Sequence, residues 1–218
     1  MNTFKPNLTS SMLLDCASAI ANSSFDILDL GCGSGYVGLE LSKKIGLKSI
    51  SCSDLDPNSL HTVQKGFDKL NVDVDFRHGS LFEPWNSELF DLIIDDVSGV
   101  SKLIAEKSPW FKNVPCESGS CGTRLVNEVI KEAPNFLKKN GKLIFPIISL
   151  SKKSKIIDLA EEIYGNIQLF KRKEWFLPES MMLHKKLLDK ERADGNISFD
   201  FKFGKVICFT EIYVVSLK

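Results

Sequence analysis

Short, nearly continuous apolar runs recur along the first two thirds of the chain, at Phe25–Leu30, Ser49–Ser53, Phe90–Ile94 and Lys142–Leu150. Such runs suit strands covered on both faces, the situation inside a parallel sheet. Between them the apolar positions fall three and four apart. Gly35–Ile45 sets Val37, Leu41 and Ile45 on one face. Thr123–Lys138 does the same with Val126, Val129, Ile130, Ala133 and Leu137, and Gly141 follows as a stop. Pro57–Leu70 reads as a helix with Asp56 as N-cap and Pro57 in its first position, and Ser154–Tyr164 as another. Pro146 has no N–H to give a ladder, so the fourth run is expected to stay regular only to Phe145. Strands alternating with helices predict an α/β fold with a mostly parallel sheet and helices on both faces.

The last third changes character. Ile167–Leu177 and Val206–Ser216 are rich in Phe, Ile, Tyr and Val, and read as a final antiparallel pair at the sheet edge. Between them, Pro178–Lys205 reads as a charged helix with an irregular excursion. Its Lys185, Lys186, Lys190 and Arg192 are diluted by Glu179, Asp189, Glu191 and Asp194, the pattern of a solvated face. No repeat or flexible linker divides the chain. The expectation is one domain over 1–218, with a lead-in at 1–24 and an insertion at about 178–205.

Composition narrows the function classes. At 218 residues, 43% hydrophobic and 26% charged, the chain is an ordinary globular sequence able to bury a core. Lys+Arg and Asp+Glu balance at 28 each, so net charge indicates no nucleic-acid partner, although a basic face stays open. No apolar run reaches the roughly 20 residues needed to span a bilayer. Met-Asn-Thr-Phe-Lys-Pro at the start leads into no apolar segment of the secretory kind, and a cytoplasmic location is expected. The six cysteines form no Cys-x-x-Cys pair and the three histidines do not cluster with them, so no metal site is expected and the thiols read as reduced.

The strongest local signal is Asp29-Leu-Gly31-Cys32-Gly33-Ser-Gly35, directly after a strand and opening a helix. Glycines serve where the chain turns tightly and a ligand must approach the backbone. Gly33-x-Gly35-x-x-Gly38 also satisfies the dinucleotide pattern, which alone is weak. An acid just ahead of the glycines opposes a pyrophosphate and suits a cationic ligand such as S-adenosylmethionine; alternatively Asp29 only bonds loop amides. Asp54, 19 residues beyond Gly35 at the end of the second strand, can accept both hydroxyls of a ribose.

With these residues in view, the chain resembles the class I S-adenosylmethionine-dependent methyltransferases. DILDLGCGSGYVGLEL resembles their first motif, and SCSDLDPNSL, with Asp54 and Leu55, the strand and turn that follow. Closer still, the chain is similar to the branch of the release-factor glutamine methyltransferases and small-domain ribosomal RNA methyltransferases. Its lead-in from Phe4-Lys5-Pro6 through Thr9-Ser-Ser-Met-Leu-Leu, the segment HGSLFEPW and the stretch GSCGTRLVNEVIKEAPNFLKKNGKLIF carry that likeness, which covers about residues 4–150. The resemblance implies a Rossmann-like three-layer sandwich, S-adenosylmethionine as cofactor, and Ser80 and Leu81 beside the adenine, with Ser80 where the branch carries an acid.

The fourth-strand motif departs further. The branch reads Asn-Pro-Pro-Tyr or Phe where this chain has Asp96-Val97-Ser98-Gly99. Asp95 and Asp96 would point to opposite faces of an extended strand, and alignment directs Asp96 to the cofactor as general base or hydrogen-bond acceptor, unless it caps the segment after it. Asp95, Trp110 and Phe111 are candidates for the acceptor side. The two aromatics, on an unusually long loop over Ser98–Gly122, either replace the lost stacking residue or form a small core beneath the loop. The resulting expectation is methyl transfer to an unidentified acceptor: a protein side chain, a small molecule or RNA. A cofactor-binding scaffold without catalysis and an NAD-dependent oxidoreductase are the alternatives.

Overall fold

A computed structural model describes residues 6–111 and 116–217. Phe4 and Lys5 of the lead-in, and 112–115 of the long loop, lie outside the described residues. A first helix, α1 (Leu8–Ile20), precedes β1 (Ile27–Leu30), α2 (Tyr36–Ile45), β2 (Ser49–Asp54), α3 (Ser59–Asp68), β3 (Asp73–His78) and β4 (Phe90–Asp95). The short α4 (Lys102–Ala105) follows, then α5 (Arg124–Glu132), β5 (Leu137–Ile148), α6 (Lys153–Tyr164) and β6 (Gln168–Phe176). The chain ends through α7 (Lys185–Ala193), β7 (Asp200–Lys202) and β8 (Lys205–Ser216).

The strands form one sheet in the order β3-β2-β1-β4-β5-β8-β6, with β7 paired to β8. The first five run parallel to one another, whereas β8 is antiparallel to both β5 and β6. This is the expected mostly parallel, Rossmann-like sheet, with the last strand inserted beside β5 so that β6 becomes the edge. Strand alternation divides the core between two faces. Ile27, Ile50, Leu92 and Ile94 pack with α1, α2 and α3 through Leu13, Leu41 and Phe67. Leu28, Leu30, Ile93 and Leu143 pack with α5 and α6 through Val129 and Ile156. Each such fully buried aliphatic side chain contributes about 1.5–3 kcal/mol of transfer free energy. A third cluster, with Val100, Ile104, Leu150, Met181 and Phe199, joins the long loop to the excursion before β8.

Several expectations are corrected. The lead-in, for which no element is expected either way, contains α1, capped by the Asn7 side chain, which accepts the N–H groups of Thr9 and Ser10 at 2.8 and 3.2 Å. The helix expected over Thr123–Lys138 ends at Glu132 and passes through a 3₁₀ turn at Ala133–Asn135, because Pro134 lacks the N–H that a continuing helix needs. Gly141 lies inside β5, where a Cβ would stand 2.8 Å from the Phe90 carbonyl oxygen. Pro57 precedes α3: Asp56 Oδ1 accepts the Asn58 N–H at 3.0 Å in a turn, and Asn58 is the cap residue. β5 continues past Pro146, which pairs with Ile212 of β8 beyond the last β4 partner, Ile94. On the charged α7, Glu191 is buried and accepts the Ser101 hydroxyl at 2.8 Å, so this face is only partly solvated.

Candidate active site

A cavity of about 750 Å³ follows the carboxyl edge of the parallel strands, where α/β sheets place ligands. Strand order sets out its wall. Gly79–Leu81 follow β3, Asp54 ends β2, Gly31–Ser34 follow β1, Asp96 follows β4, Ile148 and Leu150 close β5, and Thr210 and Trp175 come from β8 and β6. With neighbouring strands about 4.8 Å apart, the five steps from β2 to β6 span roughly 24 Å. One end is polar backbone and carboxylate, and the other is apolar and aromatic.

The glycine loop is folded over the end of β2, where the N–H groups of Gly31 and Cys32 both donate to the Ser53 carbonyl, at 2.9 and 3.1 Å. Gly31 has φ +69°, and a Cβ there would stand 3.0 Å from Val97 Cγ1 and 3.3 Å from the Asp96 carbonyl oxygen. A side chain at this position is disfavoured by about 1–2 kcal/mol from backbone alone and would push the β4 loop away. Gly31→Ala is therefore expected to lower the denaturant midpoint and weaken ligand binding together; an unchanged midpoint would contradict the close approach. Cys32 lies on the cavity wall, its thiol pushed well up by contact with the Cys52 thiol and by burial, which makes it a poor nucleophile. Gly35 is not on the wall. It starts α2, and its Cβ position faces Val63 at 3.2 Å.

Asp54 is held at both oxygens. Oδ2 accepts the Gly33 N–H at 2.7 Å and Oδ1 the Asp56 N–H at 2.8 Å. Burial raises its carboxyl above the usual range against those two amides. Leu55 is exposed beside it, with its carbonyl 3.0 Å from His78 Nε2. Ser80 and Leu81 line the same end; the Ser80 N–H donates to Glu83 at 3.2 Å, and Leu81 adopts a left-handed φ of 47°. Asp29 is placed differently. It is fully buried beneath the loop and outside the wall, with Oδ2 accepting the Gly38 N–H at 3.1 Å and Oδ1 without a partner among the described residues. Burial first, and the neighbouring Asp96 second, push its carboxyl well above the usual range.

The adjacent acids at the end of β4, Asp95 within it and Asp96 just beyond, point to opposite sides as strand alternation expects. Asp96 faces α1 and the cavity, and its Oδ2 accepts the Ser10 hydroxyl at 2.8 Å. Burial raises it to about 7, opposed by the Ser10 hydrogen bond and assisted by Asp54. Asp95 points the other way. It is fully buried, off the cavity wall, and accepts the Val97 N–H at 3.0 Å through Oδ1, while Oδ2 has no partner among the described residues. The acceptor role expected of Asp95 is thereby corrected. Burial pushes it to about 8. A carboxyl raised in the folded state contributes stability that is fully present below its unfolded value near 3.9 and lost as pH climbs through about 8. Asp95→Asn should thus be more stable than the parent at pH 9, by on the order of a few kcal/mol, with the gap closing toward pH 4. Guanidinium melts at the two pH values test this, and a parent more stable at pH 9 would reverse the assignment.

Trp110 and Phe111 line the far end of the cavity and also pack against the third core cluster, as the reading of a small core beneath the loop expected. Sequence reasoning missed their partners. Trp175 meets Trp110 edge to face at 5.7 Å and 85°, and its Nε1 donates to Thr210 Oγ1 at 3.1 Å. Ser10 was also missed. The spacing of Leu8, Met12, Cys16 and Ile20 behind Asn7 was the signal for its helix, whereas nothing local reveals that β6 and β8 reach the same cavity as β1.

Comparison with known proteins is consistent with this geometry. Residues 5–96 match the methyltransferase small domain family. A ribosomal protein L11 methyltransferase of Thermosipho africanus is 31% identical over 153 residues, covering 69% of this chain and 46% of that protein. A release factor glutamine methyltransferase of Geobacter sulfurreducens is 25% identical over 123 residues, covering 54% and 43%. The chain thus spans less than half the length of either relative. Among solved structures, the 16S rRNA N2 G1207 methyltransferase of T. thermophilus, in complex with AdoMet and guanosine, superposes with a TM-score of 0.60 at 16% identity, over 98% of this chain and 44% of that one. The ribosomal protein L11 methylase of Lactobacillus delbrueckii does so at 0.59 and 15%, over 98% and 81%.

Proposed function

The chain carries the methyltransferase small domain over residues 5–96 on a class I methyltransferase fold, and from that premise we propose that it is an S-adenosylmethionine-dependent methyltransferase whose donor and acceptor meet beside Asp96. The observation that carries this reading is one cavity running from a pre-set ribose carboxylate to an acid at the β4 end. S-adenosylmethionine has a sulfonium and an ammonium but no phosphate, and it supplies an electrophilic methyl group. The fit is electrostatic as well as steric. Among the described residues, the cavity wall holds Asp54, Asp56 and Asp96 and no Lys, Arg or His, a balance that favours a cation and opposes a pyrophosphate.

In this arrangement Asp54 accepts the ribose hydroxyls with the lone pairs its two amides leave free. The Ser80 hydroxyl and the Leu81 backbone stand at the adenine end, and the backbone of Gly31 and Gly33 allows close approach of the amino-acid portion. Asp29 Oδ1, without a partner among the described residues, lies beneath the loop, where a ligand ammonium favours its ionised form. Asp96 orients the acceptor and receives its proton. Displacement at a methyl carbon needs alignment above all, so a wall shared by both partners supplies much of what the reaction requires. The loss of the Asn-Pro-Pro-Tyr sequence leaves a carboxylate, not an amide, at the position facing the methyl group.

A thermal-shift titration with S-adenosylhomocysteine beside NAD tests the premise. At about a hundredfold excess over Kd, bound ligand adds about 2.7 kcal/mol, which for a chain of this size raises the midpoint by roughly 5–10 °C. A saturable rise with S-adenosylhomocysteine and none with NAD is expected. A rise with NAD alone would replace methyl transfer by redox chemistry.

A further inference from the structure

Beyond Asp96 the cavity changes in a way that defines what it can hold. Val100 and Leu150 are buried there, Ile148 is half-buried, and Trp110 and Trp175 present two rings set at 85° to one another. The one polar group Trp175 carries is already spent on Thr210, so the indole offers the cavity its ring and not its N–H. Thr210 is in turn buried and engaged. The charged group facing this end from the described wall is Asp96, and the described wall contains no cation. Two ring systems, an aliphatic floor and one carboxylate form a site for a positive group on an apolar stem. A phosphate would enter against the acid with no described side chain to neutralise it.

Resting on the methyltransferase reading above, we propose that the β5–β8–β6 end of the cavity binds an alkylammonium group carried on an apolar stem, and that the methyl acceptor is this amine nitrogen. The stem lies along Ile148 and Leu150, the ammonium sits between Asp96 and the Trp110–Trp175 pair, and the cofactor end is left clear. One N–H bond of the ammonium breaks, its proton passes to an Asp96 carboxylate oxygen, and the electron pair left on nitrogen would form the new N–C bond to the donor methyl carbon as the carbon–sulfur bond breaks, its electrons staying on sulfur in S-adenosylhomocysteine. The lost Asn-Pro-Pro-Tyr sequence fits this exchange of substrate. A planar amide nitrogen calls for a neutral amide partner and a stacking ring, whereas an ammonium calls for a counter-charge and ring faces around it. A free alkylamine and a lysine side chain share this chemistry.

Calorimetry on the full chain saturated with S-adenosylhomocysteine separates the possibilities, using n-hexylamine, 1-hexanol, n-hexyl phosphate and an end-blocked Ala-Lys-Ala peptide as probes. The expected result is saturable binding of hexylamine or the peptide, about tenfold or more tighter than hexanol, with hexyl phosphate unbound. Whichever of the two amines binds identifies the source. Asp96→Asn and Trp110→Leu should each weaken the amine about tenfold. Trp110 stands on a loop, so this second variant is independent of any change at the strand end. Hexanol or hexyl phosphate binding as tightly as the amine, or an unchanged amine affinity in Asp96→Asn, overturns the proposal. If S-adenosylhomocysteine binds and neither amine does, the acceptor assignment falls and the methyltransferase reading stands; if S-adenosylhomocysteine itself fails to bind, that reading falls first.

Discussion

Replacing Asp54 by Ala is expected to weaken S-adenosylhomocysteine by two orders of magnitude or more while leaving the fold intact. Two hydrogen bonds from ribose hydroxyls to an ionised carboxylate are worth about 1.5–3 kcal/mol each, and the same substitution releases the Gly33 and Asp56 amides that fix the loop. The stability of the free protein should move little. Burial raises the Asp54 carboxyl, so its ionised form at neutral pH is already disfavoured in the folded chain, and its removal offsets part of what the two amides lose. Asp54→Asn keeps one acceptor oxygen and should fall between the parent and the Ala variant. Calorimetry reads the affinities and a denaturant melt the stability. Undiminished affinity in Asp54→Ala removes the ribose assignment, and with it the observation on which the cofactor reading chiefly rests.

Asp54 also shows how far sequence reaches. Its place on the cavity wall followed from a spacing set by one strand–loop–helix–strand unit, because short-range geometry fixes where a carboxylate stands at the end of the second strand. The opposite directions of Asp95 and Asp96 followed likewise from strand alternation, and the structure places them on α5-facing and α1-facing sides. The mispredicted boundaries have local causes too. Pro134 lies inside an otherwise helical spacing, and β3 went unread because Val74 and Phe76 alternate with Asp73, Asp75 and Arg77 in a strand only partly covered. Ser10, Trp175 and Thr210 are a different case. Their sharing one cavity with Asp96 depends on β8 inserting between β5 and β6 and on α1 packing across the strand ends, and neither event leaves a periodic trace. Asp29 was legible in kind only: the acid ahead of the glycines was plain, but which of its oxygens would find an amide was settled by α2 presenting Gly38.

Asp96→Asn is expected to lower kcat by about 10²–10⁴, the range for losing a positioned proton acceptor. The stronger test is the pH dependence. Burial holds Asp96 at about 7, so in the free protein the carboxylate, and the capacity to take a proton, is gained as pH rises through that value. The profile of kcat/KM should therefore climb through about pH 7 and lose this limb in Asp96→Asn. The Ser10 hydroxyl stabilises the charged form, so Ser10→Ala should move the same limb to higher pH without abolishing it. A role confined to shaping the cavity would change the height of the profile and leave its midpoint where it was. The linkage can also be read without an acceptor. S-adenosylmethionine is a cation and S-adenosylhomocysteine lacks the sulfonium charge, so affinity for the former should rise more steeply between pH 6 and pH 8, on the order of several-fold, through favourable interaction with ionised Asp96. In Asp96→Asn the two ligands should show the same slope. Equal slopes in the parent would mean that Asp96 does not face the methyl group, whatever the activity of the variant.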